Sequence, residues 1–229
     1  MTRPRLLLLH GALGVGSQFD PLKAFLEGTF EVHALDFEGH GTSPLRDRPL
    51  RMAHYADNVL AYLDQKAIPA AGVFGHSLGG HVGLFLAHHH PERISGVFTL
   101  GTKFNWTPEI AEKENKLLLP DKIMEKVPQF GELLKKRHVA AGWEALLERQ
   151  REMQLHVARN NPLPDDNIRS ISQRVRISIG DRDKMVTFEE SIRIYRLLLK
   201  GEFQVFPNTP HPLEKAPVQK LADAIIDFF

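Results

Sequence analysis

Gly75-His76-Ser77-Leu78-Gly79 holds one serine between two glycines. The run before it, Ala71-Gly72-Val73-Phe74, reads as a short buried strand, and Gly80 to His89 reads as a helix. A Gly-x-Ser-x-Gly stretch between strand and helix is the signature of a nucleophile elbow. The turn is sharp enough that side chains at the flanking positions would clash, so glycine is used where the backbones approach closely. Such a turn leaves the Ser77 hydroxyl exposed above the sheet, at the positive end of the following helix.

Outward from the elbow, apolar runs of strand length alternate with helical patterns. Leu6 to Leu9, Glu31 to Leu35, Ile94 to Leu100, Val175 to Ile179 and Phe203 to Phe206 read as strands. Ser17 to Glu27 reads as a helix capped by Ser17, with Phe19, Leu22, Phe25 and Leu26 on one face. Tyr55 to Gln65 turns Val59, Leu60 and Leu63 inward, and Val218 to Phe228 closes the series. Fully apolar strands alternating with helices predict an α/β fold: a mostly or wholly parallel sheet covered on both faces.

Between Phe104 and about Asn167 the alternation stops, giving a charged helical stretch punctuated by Pro108, Pro120, Pro128, Pro162 and Pro164. In Gly142 to Ala158, its longest segment, Trp143, Leu146, Leu147, Met153 and Val157 recur at near-helical spacing. The expected organisation is a core of residues 1–103 and 168–229 with residues 104–167 inserted as a helical lid over the C-terminal edge of the sheet. Insertions at that edge commonly shape a pocket.

The 229 residues are enough for one such domain, with 42% hydrophobic and 25% charged residues as in ordinary globular chains. A net charge of +1 gives no reason to expect nucleic acid or an anionic membrane surface as partner. The absence of cysteine excludes disulfides, a cysteine nucleophile and thiolate metal sites. Arg3 and Arg5 before Leu6 to Leu9 imitate the start of a signal peptide, but the apolar run is shorter than the roughly 7–15 residues of an h-region. No segment approaches the roughly 20 apolar residues of a membrane span, so a cytoplasmic location is the default expectation.

Five motifs in order now carry a resemblance: His10-Gly11-Ala12 after the first strand, Asp36 to Ser43 after the second, Gly75 to Gly79, Gly180-Asp181-Arg182-Asp183, and His211 near the end. In this set, and over its whole length, the chain resembles the α/β-hydrolase superfamily, as a serine-nucleophile member with a helical lid. The resemblance implies Ser77 as nucleophile, with the acid and then the base following in chain order. Of twelve histidines, that order selects His211, in the loop between the last strand and the last helix. The pattern Gly-x-x-Asp selects Asp183 over Asp181, which is left to brace the turn. The backbone N–H groups of Ala12 and Leu78 are the implied oxyanion donors. Asp36 precedes Ser77 and is read as part of a structural turn.

The implied reaction is hydrolysis of a small carboxylic ester, thioester or lactone through an acyl-enzyme, with no cofactor and no metal. Other chemistries of the superfamily use the same parts: carbon–carbon hydrolases, cofactor-free lyases and perhydrolases, besides non-catalytic ligand receptors. Phe104, Trp106, Trp143 and Met153 are candidates to line a substrate pocket, or to pack lid on core. A dinucleotide-binding start is mimicked by Gly11-Ala12-Leu13-Gly14-Val15-Gly16 with Asp36 about 20 residues on. Phe19 stands where its third glycine belongs, and the Tyr62–Lys66 pair comes too early to serve a short-chain dehydrogenase.

Overall fold

A computed structural model describes residues 3–229. The core strands are β1 (Arg5–Leu9), β2 (Glu31–Ala34), β3 (Ala71–His76), β4 (Ile94–Leu100), β5 (Arg174–Gly180) and β6 (Gly201–Phe206). They form one sheet of order β2-β1-β3-β4-β5-β6, and every pairing is parallel. Strand alternation divides the core in two. Leu7, Leu9, Val73 and Val97 face one side, while Leu6, Leu8, Phe74 and Phe98 face the other. On the first side lie α2 (Met52–Gln65), α3 (Leu78–His89) and α9 (Phe188–Leu197). On the second, α1 (Asp20–Leu26) packs against α10 (Val218–Phe228).

Two local expectations need correction. Ser17 does not cap a helix, because Gly16–Phe19 forms a 3-10 turn and α1 begins at Asp20 with Pro21 in its first turn. That offset rotates Phe25 off the inner face, and it is 46% exposed. The helix α9 lacked a sequence reading altogether. Its Thr187 side chain accepts from the Glu190 N–H (3.2 Å), as in the capping pattern Thr-x-x-Glu.

Between β4 and β5 the chain is helical: α4 (Pro108–Leu117), α5 (Pro120–Lys126), α6 (Pro128–Arg137), α7 (Trp143–Arg159) and α8 (Asp165–Arg169). Three of these helices start on proline, where its missing N–H costs nothing and its φ already suits a helix. No helix among the described residues is long and apolar enough to cross a membrane.

Candidate active site

Strands β1, β3, β4 and β5 end on the same edge of the sheet, so the loops carrying Ala12, Ser77, Gly101 and Asp183 emerge together. Ser77 follows β3 directly with φ 50° and ψ −114°, a left-handed conformation uncommon for a side-chain-bearing residue. Its N–H donates to Leu100 C=O (2.9 Å), and the Thr102 hydroxyl donates to Ser77 C=O (3.0 Å). A Cβ on Gly79 would strike the Leu9 carbonyl, and one on Gly75 would strike the Gly79–Gly80 backbone. The elbow glycines are therefore steric requirements of the strand-to-helix approach.

Asp183 and His211 meet. The Nδ1–H of His211 donates to Asp183 Oδ2 at 2.7 Å, and the Asp183 side chain is 1% exposed. Asp183 Oδ1 accepts the N–H groups of Met185 (2.8 Å) and Val186 (3.0 Å). Burial alone would raise this carboxyl, but the His211 contact and the two N–H donors outweigh it and hold it below the usual carboxylate value. Asp181 instead accepts the Thr209 N–H (3.1 Å), while Arg182 N–H donates to Thr209 C=O (3.1 Å). The acid loop and the histidine loop are thus laced together by Asp181, and Asp183 is the aspartate that reaches the imidazole. Among the described residues the His211 ring makes no other hydrogen bond, so its Nε2 is left for the cavity it lines with Ser77. Contacts of a serine to its base commonly tighten only around substrate.

That cavity encloses about 600 Å³, counting the part open to solvent, and its wall includes Ala12, Ser77, Leu78 and His211. Leu78 is the first residue of α3, where a helix leaves N–H groups without internal partners. Ala12 lies in a turn closed by Gly14 N–H to Gly11 C=O (3.0 Å), with Leu13 at φ 59°. Trp106 and Met153 are in the wall. Phe104 and Trp143, also candidates for it, pack in the core instead, Phe104 beside His81 with ring centroids 5.9 Å apart and Trp143 beneath Lys135.

Histidines hold these loops, and those at positions 76 and 138 carry no local sequence signal for it. The Nε2–H of His76 donates to His211 C=O (2.9 Å), tying the elbow to the histidine loop. Burial, reinforced by the His211 ring, pushes His76 down to about 4, so it stays a neutral donor. His10 accepts the Phe37 N–H (3.1 Å), and His40 accepts the Leu13 N–H (3.3 Å). His138, just past α6, accepts the Gly41 N–H (3.0 Å) and donates to Leu13 C=O (3.1 Å). Burial lowers the pKa of all three, and His10 falls to about 4. Asp36 takes the N–H groups of Gly16 (2.8 Å) and Thr42 (3.0 Å), the bracing role expected of that turn. Glu190 was also missed, although Thr187-Phe188-Glu189-Glu190 carries the capping signal. Burial pushes its carboxyl up to about 7 against the opposing charge of Lys103.

A profile of the alpha/beta hydrolase fold matches residues 4–178. Among curated proteins, the chain is 38% identical over 90 residues to a pimeloyl-[acyl-carrier protein] methyl ester esterase of Neisseria meningitidis serogroup B, over 39% of this chain and 33% of the relative. It is 34% identical over 97 residues to 3-oxoadipate enol-lactonase 2 of Acinetobacter baylyi, over 42% and 36% respectively. The chain thus spans about a third of the length of the curated relatives it matches. The solved enol-lactonase of Burkholderia xenovorans LB400 superposes with TM-score 0.79 at 19% identity, over all of this chain and 92% of that one.

Proposed function

The chain belongs to the alpha/beta hydrolase fold family, and from that premise we propose that it is a serine hydrolase of small carboxylic esters, thioesters or lactones. The observation that carries the reading is the shared cavity wall. Ser77 and Leu78 stand in it beside Ala12 and a His211 whose Nδ1 is committed to Asp183. Named relatives that act on an ester and a lactone support the same class.

In the proposed reaction His211 Nε2 takes the Ser77 proton as Oγ attacks the substrate carbonyl. The N–H groups of Leu78 and Ala12 hold the oxyanion, each such donor being worth about 10²–10³ in rate. Asp183 keeps the imidazole in the tautomer that presents Nε2 and stabilises the imidazolium. His211 then gives its proton to the leaving oxygen or sulfur. A water activated by the same nitrogen cleaves the acyl-enzyme and restores Ser77. We read α4 to α8 as a lid, since α7 supplies Gln150, Met153, Gln154 and Val157 to the cavity.

A fluorophosphonate probe is expected to label Ser77, and Ser77→Ala to abolish both labelling and turnover of a nitrophenyl ester series. A folded chain that resists the probe and leaves every ester and thioester untouched overturns the reading in favour of a lyase or a ligand receptor.

A further inference from the structure

Helix α7 presents Gln150, Met153, Gln154 and Val157 to the cavity at helical spacing, two amides within an otherwise apolar stripe. Both glutamines are buried, Gln150 completely. A buried amide oxygen without a donor is destabilising, so its retention needs a reason. Among the described residues, neither Gln150 Oε1 nor Gln154 Oε1 has a hydrogen-bond partner.

The orientation of Gln150 follows from its neighbours. His40 Nδ1–H donates to Glu38 C=O (3.0 Å), which makes His40 Nε2 an acceptor. The Gln150 atom facing His40 Nε2 at 3.3 Å must therefore be the amide nitrogen. The same amide nitrogen of Gln150 donates to the Tyr55 hydroxyl at 2.6 Å. With the nitrogen committed to Tyr55 and His40, the unpartnered Oε1 is the side-chain polar atom that Gln150, a residue of the cavity wall, has free for a ligand, and it can only accept. Gln154 has no such anchor and can turn either end of its amide to a ligand. His81, one turn beyond Ser77 in α3, adds a buried Nε2 without a partner among the described residues, and burial keeps this ring neutral by pushing it down to about 4. Lys103 also lines the cavity, but Glu114 in the same wall pairs with it, so no uncompensated cation awaits a carboxylate.

We propose that the body of the substrate is a neutral chain bearing a hydroxyl or amide N–H that donates to Gln150 Oε1, in preference to a plain alkyl chain or a chain ending in a carboxylate. This rests on the serine-hydrolase reading for the reaction, but not for the binding. The test uses the full-length Ser77→Ala chain, which cannot turn the ligand over. Calorimetry compares methyl alkanoates, methyl ω-hydroxyalkanoates and monomethyl dicarboxylates of matched length, over chains of about four to ten carbons. At the length that reaches Gln150, the hydroxy ester is expected to bind about tenfold tighter than its alkyl match, as for one net hydrogen bond to a buried acceptor, and the carboxylate weakest. The preference is expected to vanish in Gln150→Met carrying Tyr55→Phe, which removes the hydroxyl that would otherwise lose its partner. The ligand ranking on the otherwise native chain stands without that variant.

Equal binding of alkyl and hydroxy esters at every length overturns the proposal, as does tighter carboxylate binding or no measurable binding of any hydroxy ester. Turnover and probe labelling of the wild type are scored separately. A chain that hydrolyses esters without a donor preference sinks this inference alone, and one that keeps the preference without hydrolysing anything sinks the reaction alone.

Discussion

At the C-terminal edge of the sheet, strands β1, β3, β4 and β5 are buried almost throughout, and the loops that leave them are fixed by backbone hydrogen bonds. The helices from Pro108 to Arg169 are made differently. They are amphipathic, carry exposed pairs such as Lys122–Glu125 and Arg149–Glu152, and turn mainly α7 toward the cavity. Exposed pairs of that kind contribute about 0–1 kcal/mol each, so the helices are held by their buried stripes. The contrast assigns separate tasks. The sheet edge sets the geometry of Ser77, Asp183 and His211, and α7 supplies part of the cavity wall beside them. The second region can therefore change its lining without disturbing the first, except where the two are tied.

The sharpest way to break that division is to strike the sheet edge. Ser77→Ala is expected to lower kcat by about 10⁶-fold with an unchanged circular dichroism spectrum; substantial residual turnover would refute the assignment of the nucleophile. Asp183→Asn is expected to cost about 10⁴-fold, by stabilising the wrong imidazole tautomer. Asp181→Asn keeps an oxygen for the Thr209 N–H and should cost less than about tenfold. Steady-state kinetics of the pair compares the two aspartates directly, and the reverse ranking would move the acid to Asp181.

The next largest effect tests the tie. His138→Ala removes the acceptor for Gly41 N–H and the donor to Leu13 C=O. Because Leu13 follows the proposed oxyanion donor Ala12, the expected loss is in kcat, up to about 10²-fold, with KM little changed. A KM effect alone would mean that His138 only shapes the pocket.

The smallest effects are in stability. His10, His76 and His81 fall to about 4 in the folded chain, and burial lowers His40 and His138 as well. Folding is then opposed by protonation, so their stability is complete above an unfolded value near 6.5 and drains away as pH falls toward 4. Thermal melts are expected to show that decline. Glu190 acts in the opposite sense, since its folded carboxyl titrates at about 7 against 4.5 unfolded. Its favourable contribution is complete below 4.5 and lost as pH rises through 7. Glu190→Gln should therefore raise the melting temperature relative to wild type more at pH 8 than at pH 5.

Local sterics made much of this legible in advance. Gly75 and Gly79 have no room for a side chain, so the elbow announces itself in five residues, and uniformly apolar strands announce a parallel sheet. Phe25 was misplaced because a 3-10 turn shifts the phase of the following helix, which hydrophobic periodicity does not report. Phe104 and Trp143 were offered to the pocket because aromatic residues suit both a core and a cavity, and only packing decides between them. The roles of His76 and His138 rest on contacts 135 and 125 residues away in the chain, beyond the reach of any local pattern. Gln150 is completely buried although its neighbours Arg149 and Arg151 are charged, and a polar residue type gives no local sign of that burial.

The end of α6 is tied to the loops of the sheet edge through two consecutive residues. His138 grips the turn beside Ala12, and Arg137 pairs with Glu214 (2.7 Å), three residues past His211. A mutant library confined to the helices is therefore expected to yield two phenotypes from two places. Changes along α7 should alter which compounds are accepted, and changes at positions 137 and 138 should alter turnover of every compound alike. Selection for a new substrate and selection for speed could thus proceed on neighbouring helices with little interference.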